Sequence, residues 1–184
     1  WENPWPPIGF DDTHPLLLDT NSRFDVPHSR WNAVSSRELR EAGVRVLIES
    51  LDGDFHMGTS ADGIRTVYLQ GHPEYDRDSL FKEFRREVRR YDAGERDSMP
   101  PFPDHYFSPQ IRQTISDATA DRQALLEMLG GALDEHLDNT WGDTAKAFFN
   151  NWLGLVYQLT NVDRKKQFMP NVNPDDPLGL RPQN

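Results

Sequence analysis

Apolar positions along the chain fall into two regimes. From residue 44 to residue 70 they come in short runs of β-branched and aromatic residues. Val44 to Ser50 (VRVLIES) and Phe55 to Thr59 (FHMGT) read as strands, with Leu51-Asp52-Gly53-Asp54 as the turn between them. Ser60-Ala61-Asp62-Gly63 is a second turn, and Ile64 to Gln70 a third strand. Short strands joined by Asp-Gly turns pair as antiparallel hairpins at the edge of a sheet. Beyond residue 76 the period lengthens. Leu80, Phe81, Phe84, Val88 and Tyr91 fall on one stripe of a helix over Asp76–Tyr91. Leu125, Leu126, Leu129 and Leu133 recur at helical spacing within a stretch from about Ile111 to Leu137, which Gly130-Gly131 weakens or breaks. Phe148, Phe149, Trp152, Leu153, Val156 and Tyr157 mark a strongly apolar helix, with Asp143 placed to cap its start. An aromatic face of that density belongs to a core or to a subunit interface.

Shorter signals fill the rest. Ser35 followed by Glu38 three residues later is a capping box opening a short helix, and Gly43 ends it. Leu16-Leu17-Leu18 reads as a short buried strand. Residues 1–15, rich in Pro, Trp and Asp, read as an extended segment, and residues 92–110 as a loop with four prolines. From Phe168 onward the chain is rich in Pro, Asn and Asp, and is expected to wrap a surface or stay disordered. The domain reading is an N-terminal segment 1–15, a main domain 16–163 and a tail 164–184. Strands followed by helices, with almost no βαβ units, give an α/β class. The expectation is the last part of a sheet whose first strands lie on other residues.

Composition narrows the classes. The 184 residues carry a net charge of −10 and no Lys/Arg block, so no nucleic-acid partner is expected. No run of about 20 apolar residues and no signal-peptide pattern occurs, so no membrane partner is expected and the default compartment is the cytoplasm. With no cysteine, disulfides and thiolate metal sites are excluded. The Asp-Gly turns lack the ligand spacing of a calcium loop, so no metal is expected. The first residue is Trp1 rather than Met, which points to a processed or partial polypeptide.

The candidate chemistry centres on Gly71-His72-Pro73-Glu74-Tyr75, between the third strand and the long helix. In open α/β sheets ligands bind beyond the carboxyl ends of strands. His72 offers a base that titrates near neutrality, and Glu74 a carboxylate that can orient it, with Pro73 fixing the backbone between them. The bland alternative is a turn histidine and a carboxylate at a helix start. Upstream, Val26-Pro27-His28-Ser29-Arg30-Trp31 places a hydroxyl beside a guanidinium, which suits a hydroxyl or carboxylate ligand. A surface loop with a local Ser29 turn bond explains it equally. Glu83 and Arg86 are helix neighbours off the apolar stripe. Periodicity alone favours a solvated ion pair over a site. His72 and Glu74 make two parts of a nucleophile–base–orienter set, and the nucleophile must come from elsewhere.

Three pieces occur in order: Pro27-His28-Ser29-Arg30, Gly71-His72-Pro73-Glu74-Tyr75 and Glu83-Phe84-Arg85-Arg86. With the late stretch Asn151-Trp152-Leu153-Gly154-Leu155-Val156-Tyr157-Gln158-Leu159-Thr160, they resemble the MetA-type homoserine O-acyltransferases over roughly Leu16 to Asp163. The resemblance implies the C-terminal part of a class I glutamine amidotransferase-like (flavodoxin-like) three-layer fold. It also implies transfer of a succinyl or acetyl group from acyl-CoA to homoserine through a cysteine thioester, in methionine biosynthesis. His72 would be the base and Glu74 its partner. Ser29 and Arg30 would line the homoserine pocket, Arg86 would pair with the homoserine carboxylate, and Glu83 would face its ammonium. Acyl-CoA would be a co-substrate, with no bound cofactor. The family's nucleophilic cysteine, its acyl-specificity position and its lysine contact would lie on an N-terminal half absent from these 184 residues. The resemblance further implies a homodimer. Trp1 to Thr13 does not match the family well, and the stretch from about Ile111 to Asn139 is longer and more helical than the family leads one to expect.

The rivals are a serine O-acyltransferase of the same fold, a class I glutamine amidotransferase, and a non-catalytic paralogue serving as a binding module. Pro27–Arg30 and Glu83/Arg86 stand against the amidotransferase, which does not need them.

Overall fold

A computed structural model describes residues 14–30, 32–118, 121–127 and 137–180. The order of elements is a 3-10 turn Pro15–Leu17, α1 (Ser36–Glu41), β1 (Arg45–Glu49), β2 (Phe55–Thr59), β3 (Val67–Leu69), α2 (Ser79–Asp92), α3 (Pro109–Ala118), α4 (Arg122–Glu127) and α5 (Gly142–Leu159). The mixture of helices and a small sheet is the expected α/β class. The chain divides into two compact units: residues 75–139, and residues up to 74 together with 140 onward. No helix among the described residues is long and apolar enough to cross a membrane.

The second of these units is built on an antiparallel sheet of order β1-β2-β3. Ile48 lies opposite Met57, and Met57 opposite Leu69. β2 is central and buried at all five positions, whereas β3 is an edge strand with Tyr68 and Leu69 exposed. The expected third strand, Ile64 to Gln70, is shorter than its apolar run. Asp62 accepts backbone N–H bonds from Ile64 and Arg65, which keeps the chain in a turn until Val67. The sheet packs its apolar face on Leu16, Leu17, Phe24, Phe148 and Leu155.

Local chemistry explains how α1 enters the sheet. Ser35 Oγ accepts the Glu38 N–H at 3.2 Å, and Glu38 Oε2 accepts the Ser35 N–H at 3.0 Å, so the capping box forms in full. Gly43 closes the helix with φ +84, where Val44 N–H reaches Leu39 O and Gly43 N–H reaches Arg40 O at 2.9 and 3.0 Å. That pair of bonds is a Schellman closure, and it satisfies carbonyls the helix would leave open. Arg40 then grips Glu49 through two bonds of 2.9 Å, tying α1 to β1.

Three sequence expectations change here. Leu16–Leu18 is not a strand. Pro15 sits at the first position of a single 3-10 turn, capped by His14 Nδ1 accepting the Leu16 N–H, and Leu16 and Leu17 are buried by it. Asp143 does not cap α5. Trp141 holds that position and Asp143 is the second residue of the first turn, paired with Lys146 at 3.4 Å. The aromatic face of α5 is divided rather than shared. Phe148 and Leu155 enter the core, while Phe149, Trp152 and Tyr157 stay exposed. Asn151 fixes the helix by donating to Leu16 O and Leu18 O at 3.0 and 2.7 Å. The tail wraps: Thr160 bridges Phe168, and Leu178 packs on the core.

The unit of residues 75–139 is helical. Phe81, Phe84 and Val88 bury the predicted stripe of α2 against Phe107, Ile111 and Ile115. Tyr91, placed on that stripe by periodicity, is exposed because α2 ends one residue later, at Asp92. The loop of 92–110 is shorter than expected, since α3 takes up Pro109 and Gln110. The predicted stretch from Ile111 to Leu137 holds α3 and α4, and the Gly130-Gly131 break lies outside the described residues, as do residues 1–13 and Trp31.

The capping box gives a direct test. Ser35→Ala should lower unfolding free energy by about 1 kcal/mol, read as a lower urea midpoint at unchanged denaturant slope.

Candidate active site

The turn after β3 is fixed from behind. Gly71 is buried, and a Cβ there would lie 2.3 Å from Val26 Cγ1, 2.9 Å from His56 Nδ1 and 3.1 Å from His28 Nε2. Only a residue without a side chain fits. The next residue, His72, donates its backbone N–H to Pro27 O at 2.8 Å. The strap Val26–His28 therefore holds the turn by one hydrogen bond and by close packing.

From this turn His72 Nδ1 meets Glu74 Oε1 at 2.8 Å. The bond forms across Pro73, as the spacing of the two residues suggested. A carboxylate accepts from Nδ1–H, which puts the imidazole lone pair on Nε2. His72 is one-third exposed and Glu74 two-thirds, so the pair opens toward solvent rather than lying in the core. Beside it lies a cavity of about 540 Å³ lined by Met57, Val67, Leu69, Pro73, Glu74 and, from α5, Trp152. Its walls are almost wholly apolar.

The other sequence candidates divide. Ser29 and Arg30 belong to the same unit as the dyad. Ser29 is exposed, and among the described residues its hydroxyl makes no local turn bond. Arg30 is committed: its guanidinium donates to Asp54 Oδ2 at 2.6 Å, so the Asp-Gly turn before β2 supports the Ser29 loop. Glu83 and Arg86 lie on α2, in the other unit. They do not pair with each other. Glu83 accepts from Tyr75 Oη at 2.8 Å, and Arg86 Nε donates to Glu87 at 3.1 Å. Among the described residues no group of three or more His, Asp or Glu is placed to hold a metal ion.

Two participants carried no clear signal. His56, the second residue of β2, is 1% exposed and sits edge-on to Phe24 and His28 at ring-centroid distances of 6.0 Å. Neither of its ring nitrogens has a hydrogen-bond partner among the described residues. A histidine inside a five-residue run reads from sequence as a strand position of either face. Burial pushes the His56 imidazole down to about 3, with His28 adding to the effect. Burial and then the Arg30 charge push His28 down to about 4, against a smaller opposing pull from Asp54. Both are neutral at pH 7 and place no positive charge behind the turn. Asp54 is the other participant, since its turn role was evident but its pairing with Arg30 was not.

Comparison with known proteins places the chain in a family. A family model described as "HTS: Homoserine O-succinyltransferase" matches residues 9–162. A homoserine O-succinyltransferase of Methylococcus capsulatus is 50% identical over 176 residues, which cover 91% of this chain and 49% of that protein. Those of Nitrosococcus oceani and Thiothrix nivea are each 49% identical, with 92% of this chain and 49% of theirs covered. The chain spans about half the length of the curated relatives it matches.

The buried histidines predict an acid-side loss of stability. Their folded values lie below the unfolded value of 6.5, so the unfolded chain binds more protons once pH drops below 6.5. Stability should be level above pH 7 and fall between about pH 6.5 and 4, with His56 alone contributing about 1.4 kcal/mol per pH unit. Urea unfolding measured across that range checks it, and His56→Phe should flatten the slope.

Proposed function

The chain belongs to the homoserine O-succinyltransferase family, and from that membership we propose that it forms the acceptor-activating part of an enzyme that moves a succinyl group from succinyl-CoA to the hydroxyl of L-homoserine. The fold proposed for the whole is the glutamine amidotransferase-like three-layer arrangement, of which these residues supply the C-terminal part. The reading places the enzyme in methionine biosynthesis, in the cytoplasm and as a homodimer.

The observation that carries the proposal is the 2.8 Å bond from His72 to Glu74 on a turn that packing and one backbone bond hold in place. In the proposed cycle a cysteine thiolate attacks the thioester of succinyl-CoA and expels the CoA thiolate, which takes up a proton. These 184 residues contain no cysteine, and the proposal assigns that residue to sequence beyond them. Homoserine then attacks the enzyme thioester. His72 Nε2 accepts the hydroxyl proton as the new ester C–O bond forms, and returns it to the departing cysteine sulfur. Glu74 keeps the imidazole in the required tautomer and stabilises the imidazolium that forms.

An amino acid also needs an anchor for each of its charges. Arg86 is proposed for the carboxylate. Its guanidinium is two-thirds exposed, and Glu87, its one acidic partner among the described residues, is shared with Arg90 and Arg96. Glu83, oriented by the Tyr75 hydroxyl, is proposed for the ammonium. Ser29 and the Asp54-braced Arg30 are proposed to line the homoserine pocket. That these relatives are homoserine O-succinyltransferases favours succinyl over acetyl as the group transferred.

In the complete polypeptide, His72→Ala should lower kcat at least a hundredfold while homoserine binding, measured by calorimetry, stays within threefold. Arg86→Ala should instead raise KM for homoserine at least tenfold with a smaller change in kcat. Activity unchanged in either variant would remove that residue from the reaction.

A further inference from the structure

Helix α2 segregates its charge. Five of the chain's 20 Lys and Arg residues lie within nine positions: Lys82, Arg85, Arg86, Arg89 and Arg90. At 100° per residue they occupy an arc of about 140° along about 12 Å of helix axis. Phe81, Phe84 and Val88 turn the other way, into the core. Glu83 and Glu87 follow one border of the basic arc, and Asp92 lies near the other. In a chain of net charge −10, such a stripe departs sharply from the rest.

The stripe is also concave and held in place. The five cations line an open cavity of about 400 Å³, bounded at one end by Glu95. Arg85 lies over the Phe81 ring at 5.5 Å. Lys82 is held by Asp78 at 2.8 Å, and Arg90 by Glu87 and Glu95 at 3.3 Å each. Arg89 has no acidic partner among the described residues. Several guanidinium forks around one cavity, with at least one uncommitted, suit a ligand carrying several phosphate groups.

We propose that this stripe binds the diphosphate and 3′-phosphate of the acyl donor's nucleotide, with Arg85 and Arg89 as its main contacts. The proposal rests on the acyl-CoA reading above and adds a subsite to it. A single carboxylate such as that of homoserine needs only one fork, which Arg86 supplies. The remaining cations match a compact polyanion instead. Each phosphate contact also makes binding salt-dependent, because ordered counterions are released when the ligand docks.

The test uses the complete polypeptide. Arg85→Gln/Arg89→Gln should weaken CoA binding at least tenfold by calorimetry, and dephospho-CoA should bind the unsubstituted protein more weakly than CoA does. The ratio of kcat/KM for succinyl-CoA to that for succinyl-pantetheine, which lacks these phosphates, should fall at least tenfold, with KM for homoserine unchanged. Arg89→Gln alone, at an exposed side chain, should show the same direction. CoA affinity within twofold of the unsubstituted protein would overturn the proposal. So would inorganic phosphate binding as tightly as CoA with the same dependence on Arg89, or tighter binding of a single-stranded oligonucleotide. Transfer that fails with every thioester while CoA binds through these arginines would leave the subsite standing and remove the reaction assignment.

Discussion

The hydrogen bond from His72 N–H to Pro27 O is the constraint on which the site depends. It joins the strap before α1 to the turn after β3, two segments 45 residues apart. Gly71 makes the approach possible, because any side chain there would collide with Val26 and His56. Backbone held at both ends leaves little freedom to the His72 imidazole, and its bond to Glu74 removes more. Preorganisation of this kind is what allows a histidine near a surface to act as a directed base.

The electrostatics behind the turn point the same way. His28 and His56 pack close to Gly71 and both are driven neutral, chiefly by burial. A protonated imidazole at either position would oppose the imidazolium proposed to form at His72. The cost is borne by stability: two imidazoles are kept from the protonation they would have in water below pH 6.5. Arg30, which could have added charge nearby, is compensated by Asp54. Charge is concentrated instead on α2, where the basic arc carries five cations.

Much of this was legible in the sequence because the signals were local. The Ser35/Glu38 box, the Gly43 closure, the Asp-Gly turns and the two-residue spacing of His72 and Glu74 each depend on residues within a few positions of one another. What was misread depended on distant partners or on competing local bonds. Leu16–Leu18 has a strand's composition, but Pro15 and the His14 cap set a 3-10 turn, and Asn151 on a remote helix takes its carbonyls. Arg30 and Asp54 are 24 residues apart and were read separately. His56 gave no signal, since strand position alone does not tell which side chains are enclosed. Glu83 and Arg86 are neighbours by helical spacing, yet each is drawn to a better-placed partner, Tyr75 and Glu87.

The most direct measurement is the rate at which L-homoserine discharges a pre-formed succinyl-enzyme, followed against pH in the complete polypeptide. A base at His72 predicts a discharge that needs homoserine and depends on pH. It also predicts that this pH dependence is lost in His72→Ala. Discharge by homoserine at the same rate, and with the same pH profile, in His72→Ala would contradict the assignment of His72 as the base.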